Sequence, residues 1–177
     1  QAVVPLNYTF ITPSTVQFPC ATGTYQPLAG QSACLPTDPG YYADSNGSAS
    51  QSPCLAGTYQ PSANASGCLD ADPGHYVDSN ASSIQSMCLA GTYQPLAGQS
   101  SCLPTDPGYY ADSNASASQS PCLAGTYQPS ANASGCLDAD PGHYVGSNAS
   151  TSQQPCATGT YQPLAGQSSC LPTDPGY

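Results

Sequence analysis

The sequence contains no lysine, no arginine, no glutamate and no tryptophan. Its only charged side chains at neutral pH are ten aspartates, which set a formal net charge of −10. Charged residues make up 6% of the chain, against about a quarter in an ordinary cytosolic domain. With no cation to meet a phosphate, the chain has no footprint for nucleic acid, and an anionic membrane surface repels it. No apolar run approaches the roughly 20 residues that cross a bilayer, so neither nucleic acid nor membrane insertion is expected. Catalytic equipment is equally thin. Serines occur without a Gly-x-Ser-x-Gly elbow, no lysine or glutamate is available, and the cysteine pattern leaves no thiol free. An enzyme is not expected.

Large apolar side chains are also scarce. Each 34-residue stretch holds two or three leucines and two or three tyrosines, too few for a conventional core, and small units of that kind need staples. The staples are visible. Ten cysteines stand at Cys20–Cys34, Cys54–Cys68, Cys88–Cys102, Cys122–Cys136 and Cys156–Cys170, with one offset within every pair and one 34-residue step from pair to pair. Pairing within this frame is expected, because joining Cys34 to Cys54 and so on down the chain would strand Cys20 and Cys170. A loop of that size stabilises by about 3 kcal/mol in the chain-entropy picture. An even cysteine count at fixed spacing in turn implies an oxidising compartment, at the cell surface or outside the cell. No signal peptide is visible at Gln1, and processing would account for such a start.

The 34-residue period hides one of 17. Glycine recurs at Gly23, Gly40, Gly57, Gly74, Gly91 and onward to Gly176, and tyrosine two residues after it, from Tyr25 to Tyr161. Every half-unit keeps Gly-x-Tyr, whereas the cysteines occur in alternate halves. In the others their places are taken by Thr37/Gln51, Ala71/Gln85, Thr105/Gln119 and Ala139/Gln153. A period twice as long as the cysteine period alternates Leu-Ala-Gly-Gln tips with Ser-Ala-Asn-Ala-Ser tips. The units are therefore 20–53, 54–87, 88–121, 122–155 and a partial 156–177. Residues 1–19 form a degenerate half-repeat in the same register, with Pro5, Tyr8, Gln17 and Pro19 one period ahead of Pro39, Tyr42, Gln51 and Pro53. There Val4, Leu6, Tyr8 and Phe10 alternate with other residues as in a half-buried strand.

Proline and glycine interrupt every window, and no 3.6-residue apolar stripe persists, so no helices are expected. Asp-Pro-Gly at 38–40 and its repeats suits a type II turn with glycine at the positive-φ position. Gly-x-Tyr then opens a short strand, and the tip returns it. The predicted fold is a small, disulfide-rich, all-β protein: an elongated tandem array of short β-hairpins in 17-residue half-units and 34-residue units. Its buried spine is expected to be tyrosine, leucine and disulfide.

Cys-x-x-Gly-Thr-Tyr-Gln-Pro, with a cysteine 14 positions after the first, resembles the ephrin-receptor-like cysteine-rich repeats, relatives of the tumour-necrosis-factor-receptor modules. The resemblance covers residues 20–177. That family joins successive halves through Cys-x-x-Cys, and here the second cysteine is lost, as in Cys34-Leu-Pro-Thr37 and Cys68-Leu-Asp-Ala71. The resemblance implies a disulfide-linked hairpin module of the extracellular-spacer kind. It carries over no receptor function, since the ligand-binding loops have no counterpart.

All seven asparagines lie in Asn-x-Ser/Thr sequons: Asn7, Asn46, Asn64, Asn80, Asn114, Asn132 and Asn148. Six fall at expected hairpin tips, where an acceptor of N-linked sugar must be exposed, and such sugars would keep a surface with few charges soluble. No other cofactor is expected. Asp70 with Asp72, and Asp138 with Asp140, are turn residues before they are calcium ligands, because EF-hand spacing is absent. His75 and His143 replace Tyr41 and Tyr109 ring for ring rather than binding metal. The function that follows is an extracellular structural rod or filament, such as a flagellar hair, a pilus-like fibre or a surface stalk. The alternative is an adhesion module that presents repeated sites to a protein or carbohydrate. The expected partners are copies of the same chain joined head to tail, with Val4, Leu6, Tyr8 and Phe10 packing on the last repeat of the preceding copy. If the polypeptide is longer, residues 1–19 instead cap the array or join an upstream domain.

Overall fold

The computed structural model describes residues 17–176. Asn7 and the strand expected at Val4, Leu6, Tyr8 and Phe10 lie outside the described residues, as does Tyr177. Among the described residues there is no helix, and eighteen two-residue strands pair into nine antiparallel hairpins. In the first, β1 (Thr24–Tyr25) lies against β2 (Leu35–Pro36), with Thr24 opposite Pro36 and Tyr25 opposite Leu35. The same register recurs in every half-unit, down to Thr160–Tyr161 against Leu171–Pro172. The strands stay short because a proline, which has no N–H for a ladder, ends most of the returning strands.

Each hairpin is one coil of a stack, with coils at 20–36, 37–53 and so on. The turn that enters a coil has the expected form. Tyr41 N–H donates to Asp38 C=O at 3.0 Å, and Gly40 has φ +85°. Disulfide coils make the same turn without proline, with Thr24 N–H donating to Ala21 C=O at 3.0 Å and Gly23 at φ +83°. Besides the bond at the chain's passage from one coil to the next, such as Ala71 N–H to Gly57 C=O at 2.9 Å, three backbone hydrogen bonds join each coil to the next. Between coils 54–70 and 71–87 they are Gly57 N–H to Val77 C=O at 2.7 Å, Gln60 N–H to Ser82 C=O at 3.0 Å, and Ala81 N–H to Cys54 C=O at 2.7 Å. This trio repeats at all eight junctions between described coils, so the stacking is carried by main chain and is indifferent to most side chains.

A second contact skips a coil. A Cβ at Gly57 would collide with the carbonyl oxygen of Gly98, and one at Gly91 with that of Asn132, each two coils further on. The glycine of one coil therefore seats the tip of the next but one. The seated tip residue is itself left-handed at every step, whether it is Gly98 (φ +72°), Asn132 (φ +59°) or Ala115 (φ +58°). Glycine and asparagine reach that region readily, and alanine is held there by its neighbours.

The spine differs from the one expected. The buried column is made mostly of small residues: Cys54, Cys88 and Cys122, alternating with Thr37, Ala71, Thr105 and Ala139, and beside them Ala43, Val77, Ala111 and Val145, with Gln94 and Gln162 buried in that second file. The tyrosines from Tyr25 to Tyr144 are only half-buried. The leucines are outside, with Leu35 at 44% and Leu55 at 64% exposure. The cause is geometric. Backbone hydrogen bonding fixes neighbouring coils about 4.8 Å apart, and the long side chain that the coil does enclose is a glutamine whose amide bonds the tip backbone, as at Gln94 and Gln162.

Glutamine replaces what sulfur and apolar bulk do not supply. In disulfide coils a glutamine just after the tyrosine spans the tip: Gln94 Nε2 donates to Ser101 C=O at 2.8 Å, and its Oε1 accepts from Leu96 N–H at 3.1 Å. In the other coils glutamine stands where the second cysteine would be, and it grips the turn aspartate twice. Gln119 Oε1 accepts from Asp106 N–H at 2.7 Å, and Gln119 Nε2 donates to Asp106 Oδ2 at 2.6 Å. Gln51 with Asp38, Gln85 with Asp72 and Gln153 with Asp140 do the same. This clasp closes the loop at the place the disulfide closes it in neighbouring coils. Gln119→Ala is expected to lower stability by about 1 kcal/mol, the usual net worth of such bonds at a partly exposed site, read as a lower denaturant midpoint at unchanged slope.

Candidate functional site

The chemistry-bearing groups of this array gather at the tips. In the clasp coils the tip carries an asparagine followed by the left-handed residue. That reversal sends the left-handed residue's N–H to the preceding coil and brings the asparagine side chain over the preceding coil's entry turn. Asn46 Oδ1 accepts from Thr22 N–H at 3.2 Å, Asn80 Oδ1 from Ala56 N–H at 2.9 Å, Asn114 Oδ1 from Ala90 N–H at 3.0 Å, and Asn148 Oδ1 from Ala124 N–H at 2.9 Å. Each satisfies a turn N–H that the hairpin leaves unpaired. The side-chain nitrogen stays free of any bond among the described residues, and all four asparagines are exposed.

Asn64 and Asn132 sit differently. Each is the left-handed residue itself, at φ +59°. Each donates its backbone N–H to Thr37 or Thr105 C=O at 3.2 Å. The buried hydroxyls of Thr37 and Thr105 then accept from Ala65 and Ala133 N–H at 2.8 Å. The Asn64 and Asn132 side chains are exposed and hold no turn. One sequence motif thus occupies two backbone settings, which the triplets alone do not distinguish.

The remaining candidates separate from one another. The structure joins Cys20 to Cys34, Cys54 to Cys68, Cys88 to Cys102, Cys122 to Cys136 and Cys156 to Cys170, and no free cysteine occurs among the described residues. Asp72 and Asp140 are taken up by the glutamine clasps, whereas Asp70 and Asp138 lie alongside Gly98 and Gly166. The two aspartates of each pair therefore face different partners. Among the described residues no cluster of three or more histidine, cysteine or acidic groups is placed to hold a metal. His75 and His143 are half-buried, with Nδ1 at 3.3 and 3.4 Å from the carbonyls of Pro73 and Pro141. A recess of about 320 Å³ lined by Tyr76, Met87, Leu89, Thr92, Ser101 and Cys102 is walled mainly by apolar atoms.

No protein-family model matches the chain, and no curated protein matches it either. Function has to be argued from the stack and its tips. Two features are not legible in the sequence: the glutamine clasps at the base of the hairpin and the grip of asparagine on the preceding turn. Their signal was present, since glutamine alternates strictly between its two positions, but only the fold gives that alternation a meaning.

Proposed function

We propose that this chain is an extracellular structural glycoprotein that builds a rod or filament, of the kind found in flagellar hairs, pilus-like fibres or surface stalks. The observation that carries the reading is the joint. The same backbone bonds recur at every junction between described coils, and the glycine seat recurs from Gly23 to Gly125, wherever a described coil lies two further on, so a further coil from any copy would meet the same main-chain pattern. Five disulfides in 17-residue coils fit an oxidising compartment, and a surface without basic groups fits a solvated spacer. The likeness to ephrin-receptor-like repeats belongs to this proposal, supported by the Cys-x-x-Gly-Thr-Tyr frame and its 14-residue bridge. Copies join head to tail, with Val4, Leu6, Tyr8 and Phe10 of one copy packing on the last repeat of the preceding one, since a heterologous contact that does not close makes a filament.

Electron microscopy of the oxidised, secreted chain tests this. Rods that lengthen with concentration are expected, and a chain lacking residues 1–12 should form shorter or fewer of them. Particles of single-chain size at every concentration overturn the filament reading. Binding to a defined glycan or protein by such single chains would establish the adhesion module in its place.

A further inference from the structure

Three exposed leucines stand in the same setting and have no apolar cover from the fold. Leu55, Leu89 and Leu123 are 64%, 65% and 64% exposed, and each opens the entry turn of a disulfide coil. The next residue in each case is the alanine whose N–H is gripped by a sequon asparagine: Ala56 by Asn80, Ala90 by Asn114 and Ala124 by Asn148. The gripped amide is the peptide bond that follows the leucine. The carboxamide is thus fixed within one residue of the leucine side chain, with Oδ1 committed and Nδ2 open. Beside Leu89 the apolar surface continues into the recess formed with Tyr76 and Met87.

We propose that Asn80, Asn114 and Asn148 carry N-linked glycans whose first N-acetylhexosamine lies over Leu55, Leu89 and Leu123. The inference rests on the extracellular reading above and adds what the sugars do. In the attachment Nδ2 loses a proton and bonds C1 of the sugar. The bond from C1 to oxygen breaks, and the diphosphate of a polyprenyl-diphosphate oligosaccharide donor leaves with its electron pair. Oδ1 is untouched, so the bond to the alanine N–H survives and sets the direction of the sugar. A pyranose ring and its acetyl methyl present an apolar face to leucine while the hydroxyls stay in water, which removes the isobutyl surface from solvent. Asn46 makes the same grip beside Ala21, and Asn64 and Asn132 grip no turn, so sugars at those three sites gain no leucine cover.

The test uses the full chain secreted from a eukaryotic host and trimmed enzymatically to one N-acetylglucosamine per site. It is compared with the bare chain from a bacterial periplasm, where disulfides form without N-linked sugar. Both preparations are repeated with Leu55→Ser, Leu89→Ser and Leu123→Ser together. Glycopeptide mass spectrometry is expected to find Asn80, Asn114 and Asn148 occupied. The single sugar should raise the unfolding midpoint of the parent chain by several degrees, and that gain should fall by more than half in the triple variant. Bare asparagines at the three sites overturn the proposal, as does no gain in the parent or an equal gain in both chains. Microscopy of the same preparations reports on the filament separately: packed sugars on chains that remain single would leave this inference standing.

Discussion

Gly91→Ala should lower the stability of the array by about 2–5 kcal/mol, while the same change at Gly47 should cost only about 1–2 kcal/mol. Both glycines have strongly positive φ, +91° and +76°, where an L-residue meets its own carbonyl at a cost of about 1–2 kcal/mol. They differ in what lies outside. The added methyl at Gly91 runs into the backbone carbonyl of Asn132, whereas at Gly47 it meets only the Pro19 side chain at 3.6 Å, and alanine already stands at the equivalent positions Ala81, Ala115 and Ala149. A carbonyl in a hydrogen-bonded stack cannot swing away as a side-chain end would, so the overlap adds about 1–3 kcal/mol of packing strain. Denaturant unfolding of the two variants with disulfides intact measures the difference. Equal losses would mean that the contact between alternate coils is loose and that each coil is held by its immediate neighbours alone.

That contact also bears on cooperativity. Where repeats touch only their neighbours, stability divides into single-repeat and nearest-neighbour terms. Here the seat reaches two coils along, so a defect at Gly91 strains the coil that carries Asn132 as well as its own junctions. A stack linked in this way resists opening at a single joint.

Much of this architecture is legible in the sequence because it is enforced by rare residue types. Glycine once in every half-unit marks a turn with positive φ, and Asp-Pro-Gly fits the turn that forms there. The cysteine frame limits the sensible pairings, and the lack of any helical stripe fits the hairpins. The spine is not legible in this way, because hydrophobicity is a poor guide in so thin a coil. Leucine is among the most apolar residues on offer, yet the stack closes at main-chain distance and takes in Cys, Ala, Val and Thr, with Gln94 and Gln162 where a glutamine spans the tip. Alanine at Ala71 and Thr at Thr37, in the places of cysteine, look like losses in the sequence. In the structure they are 0% exposed and fill the same column, and the lost bridge is replaced by glutamine and aspartate 13 residues apart. The asparagine tips show the other limit. A sequon fixes which nitrogen takes a sugar, but only the left-handed residue, at the next position in one tip type and at the asparagine itself in the other, decides which side chain is gripped.

Removing one central disulfide, by Cys122→Ala with Cys136→Ala, is expected to cost about 3 kcal/mol, the loop-closure value for a bridge across 14 residues. The backbone does not depend on the sulfur. Cys122 N–H bonds Gly108 C=O at 2.8 Å and its C=O accepts from Ala149 N–H at 2.7 Å, and both bonds are available to alanine. The loss should therefore appear in the unfolded chain's freedom and in the small void left in the buried column, with coil geometry retained. The neighbouring coils show how to repair it. Cys122→Thr, Leu123→Asp and Cys136→Gln together rewrite the coil in the pattern of Thr105, Asp106 and Gln119. The threonine fills the column and the new glutamine reaches the new aspartate, as in the coil before it. This triple variant should regain about 1 kcal/mol of the loss, because two hydrogen bonds close the loop in the folded state but leave the unfolded chain unconstrained. Urea midpoints for the parent, the double alanine variant and the triple variant should fall in the order parent, triple, double. A triple variant no better than the double would show that the clasp aligns a coil already held by its neighbours and closes nothing itself.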